Sequence, residues 1–274
     1  MGWVSFLIAG MLAQAEMSVE ERMNELFGNH QPYKQYFFDL KQAVLENNKD
    51  KVCDLVGVPV DLYGDNRTYR IESRTELFDL YDVVFSGHLL DEIKKQTFED
   101  LFVNWKGVMI GSGEIWFFGH YIDPDGEHPH ITVRSIYHPD FFHSKPGQQA
   151  VQQYLLKERS KVHPSLRNFV EPVLQWHSKH HIIRIDKMAD SQFRYAAWDI
   201  ESNPLQKPSL TITHGKKSFD GTGGNHFYQF HNGSYEYRCV VNVIGTADTP
   251  PGSIDVFKDG KLVRSQPVVK VVAP

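Results

Sequence analysis

The sequence contains little cysteine. Cys53 and Cys239 are the two cysteines among its 274 residues, and neither lies in a CxxC pair or in a Cys/His spacing typical of zinc sites. The sequence therefore favours two buried thiols, and a disulfide between them is the alternative for an exported chain.

The sequence also lacks an excess of positive charge. Lysine and arginine together number 29 against 34 aspartate and glutamate residues, which gives a net charge of -5 at pH 7. A protein that binds nucleic acid needs a basic face that displaces counterions from the phosphates. We therefore expect no nucleic-acid partner.

No apolar segment is long enough to cross a bilayer, which takes about 20 residues. A shorter apolar run covers residues 3–13, and the triplet Ala13-Gln14-Ala15 follows it as a small-x-small cleavage site. This pattern predicts a signal peptide over residues 1–15 and export to the bacterial periplasm or the medium. No lysine or arginine precedes the run, so either the natural start lies upstream or the signal is atypical.

The first half of the chain alternates between helical and strand patterns. Apolar residues at helical spacing indicate helices, and β-branched and aromatic residues between glycines indicate strands. The predicted elements are two helices within 19–47, a short helix over 49–56, a hairpin over 58–72, a helix opened by Ser73, a helix over 88–95, and strands over 101–121 and 131–137.

This order of elements resembles the cone-shaped fold of the nuclear-transport-factor-like and SnoaL-like superfamily. The segments that carry the resemblance are FFDLKQAVLENNKDKVCDLVGVPV (37–60), ELFDLYDVVF (76–85) and LFVNWKGVMIGSGEIWFF (101–118). The resemblance implies an α+β domain over residues 16–140, with helices packed on a curved antiparallel sheet. Members include isomerases, dehydratases and cyclases as well as proteins that only bind ligands or partners, so fold alone does not choose a function.

The second half is predicted to be an all-β domain behind a helical connector. A helix over 148–162 and an irregular segment up to residue 178 place the connector at 141–180. Seven short strand patterns over 181–274 predict a small antiparallel sandwich or an open barrel. This half also resembles the C-terminal part of bacterial exported proteins, through FRYAAW (193–198), KPSLTITHG (207–215) and GTGGNHFYQFHNGSYEYR (221–238).

A pocket in the front domain is the first candidate site. In the cone fold, polar side chains on the concave face meet over an apolar cavity, where burial raises the pKa of a carboxyl group toward a useful general-base value. The pocket candidates are Asp61, Tyr63, Tyr81, Glu114, Trp116 and Arg134. Asp61 or Glu114 would be the base, and a packed core with a solvated strand edge is the alternative interpretation.

Histidine clusters and a glycine-rich segment are weaker candidates. His128 and His130 lie two residues apart, and a second cluster comprises His177, His180 and His181. We interpret both as exposed loop histidines and expect no metal site. The segment 220–225 lacks the lysine of a phosphate loop and precedes a strand, so it predicts a tight turn and no cofactor.

Aromatic residues concentrate in the β domain. The candidates for a surface strip that stacks on sugar rings or anchors a partner are Tyr195, Trp198, Tyr228, Tyr235 and Tyr237. Tyr235 and Tyr237 share one strand face, as do Tyr228 and Phe230. We therefore expect one of these two strands to present its aromatic residues to solvent.

No catalytic motif of the enzymes in the cone superfamily matches this sequence residue by residue. We therefore expect an exported binding or interaction protein whose partner is an unknown protein or a small-molecule ligand. A periplasmic antagonist of a secreted toxin is one subtype. The alternatives are an enzyme of the cone fold that applies general acid/base chemistry to a small apolar substrate, and an accessory protein that binds carbohydrate.

Overall fold

The computed structural model describes residues 17–121, 129–221, 224–243 and 249–272. The predicted signal peptide, His128 and part of the segment 220–225 lie outside these ranges. The chain mixes helices and strands and divides into two compact units, Met1–Gln148 and Gln149–Pro274. Within the described ranges, no helix is both long enough and apolar enough to cross a membrane.

In the first unit, helices and strands follow each other in the predicted order. The elements are α1 (Val19–Phe27), α2 (Gln31–Leu45), α3 (Lys49–Val56), β1 (Val60–Gly64), β2 (Arg67–Ile71), α4 (Arg74–Val84), α5 (Gly87–Lys95), β3 (Phe102–Asn104), β4 (Gly107–Ile110), β5 (Ile115–Tyr121), β6 (Pro129–Tyr137) and α6 (Pro139–His143). Side-chain caps define three helix starts, since Ser18 accepts the Glu21 N–H, Asn48 accepts the Lys51 N–H and Ser73 accepts the Glu76 N–H.

The six strands of this unit form a mixed sheet in the order β2-β1-β6-β5-β4-β3. Strands β1 and β6 are parallel, so the prediction of a wholly antiparallel sheet was wrong. The physical reason is that a long crossover, and not a hairpin, joins these two neighbours. Leu62, Ile115 and Ile136 are fully buried on one face of the sheet, and α2 and α3 contact β6.

The second unit is nearly all strand after one long helix. The elements are α7 (Lys145–Ser160), a 3-10 turn (Pro164–Leu166), β7 (Glu171–His177), β8 (His181–Lys187), β9 (Phe193–Asp199), β10 (Leu210–Phe219), β11 (His226–Asn232), β12 (Tyr235–Val241), β13 (Gly252–Lys258), β14 (Lys261–Pro267) and β15 (Lys270–Val272). The prediction of irregular chain up to residue 178 was wrong, because β7 occupies that segment. Pro172 near its start hides the strand signal.

The nine strands of this unit curl into a closed barrel. The sheet runs from β14 through β13 and on to β7 and β15, so its two edge strands follow each other in the chain. The Val268 N–H donates to the Gly252 carbonyl at the start of β13, and the Val269 N–H donates to the His177 carbonyl at the end of β7, both at 2.9 Å. One segment therefore completes both edges, which selects the barrel over the sandwich.

Large side chains fill one half of the barrel interior. Trp176, Tyr228, Phe230 and Cys239 are all buried there in one apolar cluster. The ring of Phe230 lies against Gly215, where an added Cβ would be 2.1 Å from a ring carbon. Glycine at this position therefore allows the ring to pack directly against the backbone of β10.

The connector covers the outer face of β8 and β9 and buries a charge network there. Arg184 Nε and Arg194 Nη2 each lie 2.7 Å from an Asp186 oxygen, and Glu158 Oε2 of α7 lies 4.0 Å from Arg184 Nη1. All four side chains are at most 5% exposed. Lys161, whose side chain is 43% exposed, also pairs with Glu158. The buried Arg184 and Arg194 therefore depend on Asp186 for their direct ion pairs.

We expect Gly215→Ala to destabilise the second unit by about 1–3 kcal/mol, because the added methyl group overlaps the Phe230 ring. Urea denaturation followed by tryptophan fluorescence measures this loss. The double variant Gly215→Ala/Phe230→Leu should recover part of it, since leucine vacates the contested space. A double variant that shows the full sum of the single losses would contradict this contact as the cause.

Asp186→Asn should destabilise the fold by about 3–5 kcal/mol, because it leaves Arg184 and Arg194 buried with half of their compensation removed. Thermal and urea denaturation of the full chain test this. Asp199→Asn, at the exposed end of β9, is the matched control and should change stability by less than about 0.5 kcal/mol. Equal effects of the two substitutions would refute the role assigned to the network.

Candidate functional site

A cavity of about 440 Å³ lies inside the barrel at the end where β8, β10, β12 and β14 begin. This volume is within the range of small-molecule sites, roughly 300–1,000 Å³. The lining residues are His181, Ile183, Tyr195, Ala197, Ser209, Leu210, Tyr235, Tyr237, Ile254, Val256, Val263, Arg264 and Gln266. All of them belong to the described part of the chain.

The strand alternation explains why these side chains point inward together. Residues that face each other across a ladder lie on the same side of the sheet. Tyr237 pairs with both Phe230 and Val256, and Val256 pairs with Arg264. Since Phe230 is buried in the barrel core, its partners along this row face the interior as well.

The turn between β13 and β14 does not cover this end of the barrel. Asp259 and Gly260 form its two central positions and have φ values of 48° and 75°. This is the geometry of a tight two-residue hairpin, which adds no side chain that folds back over the opening. Arg264 and Val263 at the rim are accordingly exposed.

One wall of the cavity is apolar. Ile183, Ala197 and Leu210 line it from β8, β9 and β10. Tyr195 separates this wall from the filled half of the barrel, with its ring centroid 5.4 Å from that of Phe230 and 5.7 Å from that of Tyr237. The filled half thus ends on an aromatic layer that forms the floor of the cavity.

The other wall carries polar groups near the seam where the barrel closes. Arg264 and Gln266 lie two residues apart on β14 and share the inner face. The Ser178 hydroxyl donates to Gln266 Oε1 at 3.0 Å, and His181 Nδ1 lies 3.4 Å from the same oxygen. These contacts hold the Gln266 amide in place across the seam.

The cavity is positively charged and rich in hydrogen-bond donors. Its 13 lining residues include no aspartate, glutamate or lysine, and they include one arginine, Arg264. Within the described ranges, no carboxylate oxygen lies within 4.0 Å of the Arg264 guanidinium. Burial raises the pKa of the Tyr195 phenol well above its ordinary value, so this hydroxyl keeps its proton.

The prediction of a surface strip was wrong for Tyr195, Trp198 and Tyr228, which are at most 4% exposed, whereas Tyr235 is 37% exposed. Tyr195, Tyr235 and Tyr237 line the cavity, and Tyr228 is buried in the filled half of the barrel. Trp198 lies on the outer face under the connector, where its Nε1–H donates to the Gln206 carbonyl at 2.8 Å. The pairing of β11 with β12 turns Tyr228, Phe230 and Tyr237 toward the interior.

Three of the front-unit pocket candidates share one face of the mixed sheet. Asp61 pairs with Ser135, which pairs with Trp116, and the Tyr63 hydroxyl donates to Asp61 at 3.3 Å. This face is opposite the fully buried one, and Asp61 is held by Arg70 at 3.0 Å. The carboxylate therefore belongs to an ion pair on the open side of the sheet.

The other three front-unit candidates lie in separate environments. Tyr81 is buried in α4, and Arg134 is exposed at the irregularity between β5 and β6. Glu114 is buried at the turn before β5, where it accepts the Ser112 N–H at 2.5 Å and lies 3.1 Å from His88 Nε2. Glu114 thus organises a turn, and sequence reasoning missed its partner His88.

Within the described ranges, no group of three or more histidine, cysteine, aspartate or glutamate side chains has the geometry to hold a metal ion. His130 pairs with His120 across β5 and β6. His181, interpreted from the sequence as a loop residue, begins β8 and lines the cavity.

Arg264 and Gln266 were also missed as site residues. The signal available in the sequence was the spacing of two between them in KLVRSQP, which puts both on one strand face. That spacing does not tell which face is inside, because the answer depends on pairing with Val256 and Ile254.

No protein-family model matches the sequence, and no curated protein or solved structure shows significant similarity to it. The resemblance of the front half to the cone-shaped superfamily therefore stays a prediction. The function has to be argued from the cavity itself.

Both cysteines are buried and free, which confirms the prediction of two buried thiols. Burial raises the pKa of the Cys239 thiol, which faces the barrel interior. In the Cys53→Ala variant, Ellman's reagent should therefore modify Cys239 at least about a hundredfold more slowly in buffer than in urea. Comparable rates in the two conditions would show that the barrel opens readily and contradict the packing described above.

Proposed function

We propose that the second unit binds a small, partly apolar ligand inside its barrel. The observation that carries this proposal is the cavity of about 440 Å³ at one end of an interior whose other end is filled. The cavity opens at its rim, where Val263 and Arg264 are exposed, so a molecule can enter it from solvent. Its volume and its mixed lining are those of a small-molecule site.

The polar groups of the cavity also require partners. Within the described ranges, the hydroxyls of Tyr195, Tyr235 and Tyr237 make no hydrogen bond to protein. A polar group in a largely apolar site is stable only when water or a ligand satisfies it. Three donors around one cavity therefore support specific binding of a molecule with acceptor atoms.

We also infer that the front unit is a domain of the cone type and that the chain is exported. The order of elements and the helices on one face of the sheet support the first inference. The apolar run and small-x-small triplet support the second. A barrel that binds a small molecule is consistent with an exported binding protein. We therefore favour a small-molecule ligand over a secreted toxin as the partner.

The other functions gain less support. Asp61 and Glu114, the two carboxylates suggested as a general base, are engaged by Arg70 and by His88 with the Ser112 N–H. A carbohydrate strip would need several exposed coplanar aromatic rings, whereas Tyr195, Trp198 and Tyr228 are at most 4% exposed. We therefore extend the proposal neither to catalysis nor to polysaccharide binding.

The test is to fill the cavity. Val256 is half-buried on β13 and lines the cavity, so Val256→Trp should occupy it. We expect the full chain to bind the neutral fluorescent probe N-phenylnaphthylamine, and we expect this variant to lose at least about tenfold in affinity. Ala197→Leu on the opposite wall is a second blocking variant, and fluorescence titration is the measurement.

Leu262→Trp is the matched control, because Leu262 is 55% exposed and does not line the cavity. It should bind the probe as the original chain does. Circular dichroism verifies that all three variants are folded. Unchanged affinity in two folded blocking variants would show that the probe binds elsewhere and would refute the proposed function.

A further inference from the structure

We propose that the ligand of this cavity is an amphiphile with a single negatively charged group, a carboxylate or a sulfonate, which Arg264 binds at the rim. This inference rests on the proposed function and names its ligand class. Three observations support this ligand class. The unpaired polar groups of the cavity are hydrogen-bond donors, its lining residues carry one permanent positive charge, and its apolar wall lies opposite its polar wall.

The groups left over are donors. A guanidinium has five N–H donors and no acceptor, and arginine remains charged at physiological pH. The Gln266 carbonyl oxygen already accepts the Ser178 hydroxyl, so the amide N–H₂ remains for a ligand. A carboxylate or sulfonate offers acceptors only, and bonds between such groups and a guanidinium are the strong, charge-assisted kind.

The charge of the cavity limits the charge of the ligand. The lining contains one residue with a permanent positive charge, Arg264, and no acidic residue. Within the described part of the chain, the guanidinium also has no carboxylate within 4.0 Å. A monoanion compensates this charge, whereas a dianion would bring a second charge into the cavity without a permanent partner.

The two walls predict an amphiphile and not a small inorganic anion. Strands β14 and β15 follow each other in the chain and occupy one place in the ring, so the barrel has eight places around its circumference. Counting four places from β14 leads to β10, which therefore lies on the opposite side of the barrel. Leu210 on β10 and Ala197 on β9 thus face the side that carries Arg264 and Gln266. The apolar wall accepts a hydrocarbon body while the charged group stays at the rim.

The experiment compares two fluorescent probes that differ by one charged group. Anilinonaphthalene sulfonate carries a sulfonate on the ring system of neutral N-phenylnaphthylamine. We expect the full chain to bind the sulfonate more tightly, and we expect Arg264→Gln to weaken it about three- to tenfold while the neutral probe is unaffected. Arg264→Lys should retain part of the preference, since it keeps the charge but loses the planar fork.

Lys261→Gln is the matched control, because it removes the same charge from the same strand at an exposed position outside the cavity lining. It should bind both probes as the original chain does. Equal loss in Lys261→Gln and Arg264→Gln would mean that net charge alone attracts the sulfonate, and it would overturn the assignment to Arg264.

Competition identifies the body of the ligand. If the body is aliphatic, decanoate should displace the sulfonate probe and decanol should displace it poorly. If the body is aromatic, naphthoate should displace the probe and naphthol should displace it poorly. Displacement by the neutral member of each pair as strongly as by the acid would overturn the inference.

The two proposals fail differently. When Val256→Trp abolishes binding of both probes but Arg264→Gln changes neither, the cavity binds ligands and the anionic group is wrong. When Val256→Trp and Ala197→Leu leave both probes bound, the cavity itself is not the site.

Discussion

The second unit depends on two backbone hydrogen bonds made by consecutive residues, one to each end of its sheet. The Val268 N–H donates toward β13 and the Val269 N–H toward β7, so one short segment joins both edges of the sheet. Without this closure, nine strands would present two open edges and would have no enclosed interior. The apolar core, the cavity and the seam with Gln266 all exist because the ring is complete.

Closure creates an interior that the sequence fills unevenly. Phe230 against Gly215, together with Tyr228 and Cys239, fills one end with buried side chains. Toward the other end, the inward positions carry smaller or polar side chains, such as Ala197 and Gln266. The same alternation that stabilises the fold thus leaves space next to donors, and stability and binding use different halves of one barrel.

Local elements could be predicted from the sequence, but their long-range pairing could not. Helix α3 over 49–56 has the predicted limits, because capping and helical spacing are local signals. The tyrosines at 228, 235 and 237 were correctly grouped by face, yet the inner face follows from register with strands far along the chain. Arg264 was missed for this reason, and β7 because Pro172 interrupts its pattern.

The ring also imposes an order on biosynthesis. Strand β7 is made first among the barrel strands, but its second neighbour, β15, ends at residue 272. A growing chain therefore carries one unpaired strand edge until almost the whole barrel has been synthesised. Such an edge is prone to pair with other chains, and contacts this distant in sequence form slowly. Chaperone protection of the nascent chain would matter most between the synthesis of β7 and that of β15.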